Sequence, residues 1–302
     1  MNLSSRLAVT ASSLSSDPRL VPTLARQLNL PGLLFDAYTR DFSIPDLSQT
    51  GRREFQQVLR NQDRRIVGLR VDLGQYGLSA KADIDQQLSR LERAMDSAAG
   101  LMSPLLCVDL GPLPTPPKVR VVNPKVTPDM AGLILLPTAF DTTEAPPEEP
   151  QSPADAAFIT HLDPVMYELG QRADRYGVML AFRSELASFA AVERTVQAAA
   201  CPWFGFDLDP VALMRDGAEL DATFARVGPL IRHVRARDAV LGTGHRTQPA
   251  VIGKGGVDWT HFLTNLHAAD YHGWMTIDPV ELSDRMAATA AGAGYLVKIS
   301  AN

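Results

Sequence analysis

The chain has 302 residues, 45% of them hydrophobic and 21% charged, the balance of an ordinary globular protein. A formal net charge of −5 argues against a general nucleic-acid binder, whose surface would be basic. No segment approaches the ~20 apolar residues of a membrane span, and the first twenty residues lack the apolar run of a signal peptide, so a soluble, cytoplasmic protein is expected.

Read in chain order, short β-type runs alternate with stretches of helical spacing. The strand candidates are RLAVTAS, GLLFDAY, RIVGLRVDLG, LLCVDLG, VMLAFRSE, WFGFDLD, IRHVRARD and WMTIDPVE. Helical patterns such as REFQQVLRNQ, DIDQQLSRLERAMDSAA and SFAAVERTVQAAA fall between them. Such alternation implies βαβ units and a parallel sheet. Eight pairs in one domain fit a (β/α)8 TIM barrel. An open dinucleotide-binding sheet would want a glycine fingerprint after the first strand, and SSLSSDPRL has none. One connection is long: residues 112–152, after the fourth strand, are rich in proline and end acidic, so they form either a lid or a solvated insertion. Its apolar stretch GLILLPTAF is expected to pack as a short strand or hairpin. Cys107 and Cys201 sit in or beside apolar runs, as buried reduced thiols would.

Strand parity assigns the side chains. In a barrel, one strand face meets the helices and is apolar, while the other faces the axis. Val178, Leu180 and Phe182 take the helix side, which turns Arg183 inward. The same rule sends inward Asp36 and Tyr38, Arg70 and Asp72, Asp109, Asp207, His233 and Arg235, and Thr276 and Asp278, with Val67, Leu69 and Val71 outward. These polar residues fall late in their strands, the end at which this fold builds its sites. A polar, charged pocket at the C-terminal mouth is therefore expected. Asp36, Asp72, Asp109, Glu185 and His233 are candidate ligand-binding groups there. The loop LGTGHRTQPAVIGKGGVDW adds His245 and Lys254 among glycines, as an anion nest or as a turn-rich connector.

The segments GVMLAFRSE, CPWFGFDLDP, IRHVRARD, IGKGGVDW and GWMTID resemble, in order and spacing, the second half of the xylose isomerase-like barrels, a group that includes sugar-phosphate isomerases and epimerases. The resemblance covers roughly residues 165 to 285. It implies a divalent metal, often manganese, held by Glu, Asp, His and Glu from strands five to eight, with two of the carboxylates moving protons between neighbouring carbons. Hard oxygen ligands suit that ion, and the cation stabilises an enediolate. In this sequence the first position is Arg183, the Asp is kept as Asp207, the His position falls on Arg235, and the last Glu position is Asp278. A further His expected three residues after Asp207 falls on Pro210. Guanidinium has no lone pair to give a metal and stays protonated. The expectation is thus a barrel without the family's metal or another cofactor, with manganese returning only if these positions are misplaced. Asp207, Asp278, Arg183 and Arg235 become the candidate catalytic residues, and a sugar or sugar phosphate the implied ligand. The alternative is a non-catalytic barrel that binds a ligand or serves a structural role. Relatives are often dimers or tetramers, so a homo-oligomer is compatible with the resemblance.

Overall fold

The computed structural model describes residues 3–115, 152–243 and 246–301. Eight parallel strands close a barrel: β1 (Leu7–Thr10), β2 (Gly32–Asp36), β3 (Arg65–Asp72), β4 (Leu105–Asp109), β5 (Met179–Arg183), β6 (Phe204–Leu208), β7 (Ile231–Ala236) and β10 (Met275–Ile277). Closure is made by β1 against β10, with Leu7 opposite Met275 and Val9 opposite Ile277. Around this lie α1 (Val21–Gln27), α2 (Gln49–Asn61), α3 (Ile84–Gly100), α4 (Pro153–Tyr176), α5 (Phe189–Ala199), α6 (Pro210–Arg215), α7 (Leu220–Val227), α8 (Trp259–Ala268) and α9 (Arg285–Ser300). The expected TIM barrel is the observed fold. No helix among the described residues is long and apolar enough to cross a membrane.

Local chemistry sets the helix starts. Side chains of Ser48, Asp83, Ser152, Ser188, Asp209, Asp258 and Asp284 each accept a hydrogen bond from a first-turn backbone N–H, replacing partners the helix itself cannot supply. At the other end of α4, Gly177 takes φ 63°, the left-handed conformation that closes a helix without a Cβ clash.

Two apolar layers result from strand parity. The larger joins the outward faces, including Val9, Leu33, Phe35, Leu69, Val108, Leu180, Phe182, Phe204, Phe206, Val234 and Ile277, to the helices. Phe182 and Phe204 meet edge to face at 4.9 Å. Each such fully buried side chain contributes about 1.5–3 kcal/mol relative to exposure. The smaller layer fills the lower barrel with Ala8, Leu34, Val67, Cys107 and Ala181, flanked by Leu105 and Trp274. Val67 was expected on the helix side. A bulge in β3 pairs Leu33 with Ile66 but Leu34 with Gly68, and the extra residue turns Val67 into the barrel. Beyond the bulge the parity resumes, so Leu69 and Val71 face out and Arg70 faces in.

Three further differences follow from where strands end. Tyr38 does not reach the axis: its hydroxyl donates to the Arg90 carbonyl at 2.7 Å, and the Arg90 guanidinium lies over its ring. Because β2 stops at Asp36, parity no longer governs position 38. The connection after β7 contains two antiparallel strands, β8 (Asp238–Leu241) paired with β9 (Thr247–Ala250), where an anion nest or a turn-rich connector was expected. Cys107 is buried as expected, whereas Cys201 is only partly so. The apolar stretch GLILLPTAF and nearly all of the 112–152 insertion lie outside the described residues.

Candidate functional site at the barrel mouth

One step above the lower apolar layer, the strand ends carry an arginine–carboxylate lattice. Arg70 on β3 donates to Asp36 on β2 at 2.6 Å and to Asp278, just past β10, at 2.8 Å. Arg183 on β5 lies 3.0 Å from Asp109, 2.7 Å from Glu185 and 3.4 Å from Asp207. Arg235 on β7 donates through Nε to Asp278 at 2.7 Å, binds Glu185, and lies 3.7 Å from Asp209. Arg237 binds Asp209, and reaches Glu185 and Glu281 at 3.2 Å each. Guanidinium is suited to such a lattice because its planar fork of donors meets carboxylates with defined geometry. Desolvation alone would favour the neutral carboxylic acids, and pairing with guanidinium is what keeps the carboxylates charged.

The electrostatics divide the carboxylates. Burial works to raise Asp278, but Arg235 and Arg70 outweigh it and hold the group far below the usual carboxylate range. Asp207 is likewise held low against its burial, by His233 and then Arg183. Glu185 is lowered to about 2, since Arg237, Arg235 and Arg183 together overcome its partial desolvation. Asp109 goes the other way: burial pushes it up, and Arg183 only partly offsets this. Arg235 is raised well above its ordinary value despite burial, chiefly by Asp278 and Asp209.

Beneath the lattice, His233 meets Asp207 through Nδ1 at 2.6 Å and Thr276 through Nε2 at 2.7 Å. Cys107, Asp207 and His233 are the set of three donors close enough to share a cation among the described residues. Both ring nitrogens are already engaged, and burial pushes the Cys107 thiol well up. A metal there would need a thiolate and a free imidazole nitrogen. The donor set therefore fits a hydrogen-bonded Asp207–His233–Thr276 chain beside a buried thiol better than a metal centre.

Of the residues singled out from sequence, Asp36, Asp109, Arg183, Glu185, Asp207, Arg235 and Asp278 meet in the lattice, with His233 directly below. Asp72 stands exposed at the rim, where its carboxylate caps the turn at the Gly74 N–H. Lys254 is exposed on the glycine-rich turn and takes no part in the ion pairs of the described residues. His245 lies outside the described residues. Pro210, at the position where the resemblance expected a further His, begins α6. Arg70 was placed on the axis by parity but not among the candidate site residues, and three lattice members were not singled out at all: Asp209, Arg237 and Glu281. Asp209 and Arg237 keep the inward parity of Asp207 and Arg235, two residues further on, so carrying parity past the strand ends finds both.

The glycine-rich segment has its own anion. The Asp238 carboxylate accepts from the backbone N–H groups of Ala239, Gly253, Gly255 and Val257 and from Trp259 Nε1. These donors form a nest for negative charge, and Asp238 fills it. A Cβ on Gly255 would lie 2.1 Å from that carboxylate, which explains glycine there. Replacing Asp238 by Asn turns one acceptor oxygen into a donor that faces N–H groups. The Asp238→Asn variant should lose about 2–3 kcal/mol in urea denaturation, and an unchanged midpoint would show the segment to be held by other contacts.

Residues 24–299 match the family described as xylose isomerase-like TIM barrel, and the chain belongs to it. No curated protein sequence matches this chain at a significant level. Similar solved structures include a xylose isomerase domain protein from Planctomyces limnophilus, with 15% identity, TM-score 0.69, and coverage of 97% of this chain and 96% of that one. A D-psicose 3-epimerase from Clostridium cellulolyticum H10, solved with D-tagatose, shares 10% identity over 97% of this chain and 99% of its own, at TM-score 0.68. The IOLI protein, described with a binding zinc atom, shares 13% identity over 97% of each chain at TM-score 0.70. At these identities the likeness shows the fold alone.

Proposed function

We propose that this chain is a ligand-binding member of its family in which paired arginines stand where a divalent ion would sit, and that its ligand is a small polyhydroxylated or anionic molecule held at the C-terminal mouth. The observation that carries the reading is the pairing of Arg183 and Arg235. Each stands where the resemblance calls for a metal ligand, and each faces one of the acidic positions that would complete the set: Arg183 lies 3.4 Å from Asp207, and Arg235 donates to Asp278 at 2.7 Å. A guanidinium there supplies positive charge to the carboxylates and offers no lone pair to a cation. The residues present therefore do not fit the family metal. The sugar-epimerase relatives motivate a sugar or sugar phosphate as ligand.

One observation favours binding over proton transfer. An efficient general base has a pKa near the working pH, yet Asp207, Asp278 and Glu185 are all held low by their partners. Asp109, pushed up by burial, is the lattice carboxylate best placed to exchange a proton. Isomerase- or epimerase-like turnover, with Asp109 moving the proton, is accordingly the second reading. Elemental analysis of the purified protein, followed by calorimetric titration with manganese, tests the first. No metal carried through purification and no heat of binding is the expected result. A stoichiometric, tightly held ion would overturn it.

A further inference from the structure

We infer that Glu185 is a built-in stand-in for the ligand: its carboxylate occupies an anion site formed by Arg183, Arg235 and Arg237, and a small molecule bearing a carboxylate or phosphate binds there by displacing it. The inference rests on the reading that arginines have taken the metal's place, and it adds the chemical class of ligand and the contact point.

Among the lattice carboxylates, Glu185 alone is approached by three guanidiniums, from β5, from β7 and from the turn after β7. It is also the most removable of the three arginines' shared partners. Its side chain is 38% exposed, whereas those of Asp207 and Asp278 are 1% exposed and that of Asp209 is 4%. The backbone under it is fixed. Ser184 Oγ donates to the Gly111 carbonyl and accepts from the Leu186 and Ala187 N–H groups, while Arg215 holds the carbonyls of Glu185 and Ala187. Releasing the carboxylate therefore needs a change of side-chain rotamer and no movement of the chain.

A donor remains for an incoming anion. The Nε–H of Arg237 is buried and makes no hydrogen bond among the described residues, although such groups are normally satisfied; that of Arg183 already lies 3.4 Å from Asp207. Phosphate and carboxylate both offer several acceptor oxygens at once, and guanidinium clusters are matched to them. A neutral sugar hydroxyl could not replace the charge of Glu185. A ligand that does so must carry its own.

The test compares the parent chain with Glu185→Ala by calorimetry, using inorganic phosphate and malonate as separate probes. The variant is expected to bind at least one of them, one site per chain, at least about tenfold tighter than the parent. Adding Arg237→Ala should remove the gain. Tightening by phosphate alone assigns a phosphorylated ligand, and by malonate alone a carboxylic acid. Should Glu185→Ala fail to fold, Glu185→Gln keeps the volume without the charge and serves in its place. A folded variant that binds neither anion more tightly than the parent overturns the inference, as does a gain that survives Arg237→Ala. Manganese binding by the parent would instead sink the underlying reading, so the two failures are told apart.

Discussion

Replacing Arg235 by alanine should lower the stability of the fold by about 3–5 kcal/mol, the cost of breaking a buried, hydrogen-bonded ion pair from one side. The side chain is 6% exposed and serves Asp278, which is 1% exposed, together with Glu185 and Asp209. Arg70 would still hold Asp278, but it would leave Asp209 and Glu185 to Arg237 and Arg183. The removed side chain also leaves a void among strand ends that cannot collapse, since β6, β7 and β10 are tied into a closed barrel. A contrast is available in the same molecule. Arg172 pairs with Glu92 and Glu168 among the outer helices, where the three side chains are 19%, 28% and 52% exposed, and its alanine variant should cost no more than about 1 kcal/mol because solvent still screens the pair. Urea denaturation of both variants measures the difference. A loss for Arg235→Ala as small as that for Arg172→Ala would mean the lattice is a solvated rim.

Much of this site is legible in the amino-acid sequence because a closed parallel barrel imposes a period of two on every strand. Leu180 and Phe182 fix the helix side of β5, and Arg183 is thereby committed to the axis. The same step places Asp109, Asp207, Arg235 and Asp278, and the lattice contains all of them. What parity does not reveal is a bulge. The extra residue in β3 turns Val67 inward, and a second register shift, between Phe206 and Asp207 on β6, sets Asp207 opposite His233. Nothing in RIVGLRVD or IRHVRARD marks such an insertion, since it depends on how neighbouring strands stagger.

Residues at or just beyond the strand ends were hidden for a different reason. Asp72 and Tyr38 look like mouth residues by counting, but one caps a turn and the other packs under Arg90. Asp209 and Arg237 lie one residue past their strands and do join the lattice, because each is held by the other and by Arg235 or Glu185. Long-range pairing decides between these outcomes. The glycine-rich segment makes the same point: its nest is real, but the anion it holds is Asp238, fifteen residues before Gly253. Composition shows the donors and is silent about which carboxylate arrives.

The double variant Arg183→Glu, Arg235→His should bind manganese with one ion per chain, whereas the parent should not. It would restore the carboxylate and imidazole that the resemblance places on strands five and seven, beside Asp207 and Asp278, the carboxylates those arginines now face. Charge drives the same way. Four arginines now face seven carboxylates. Removing two cations and adding an anion leaves buried negative charge that only protons or a metal can relieve. The variant should therefore melt below the parent in the presence of a chelator and recover when manganese is added, because an ion that binds only the folded state stabilises it by mass action. Oxygen and nitrogen donors around an open position suit manganese, while a softer thiolate set would not. Calorimetry gives the stoichiometry and the melting curves give the linkage. A double variant that stays folded yet shows neither would mean that Arg183 and Arg235 do not stand in for the ion, and that their carboxylate partners serve the barrel alone.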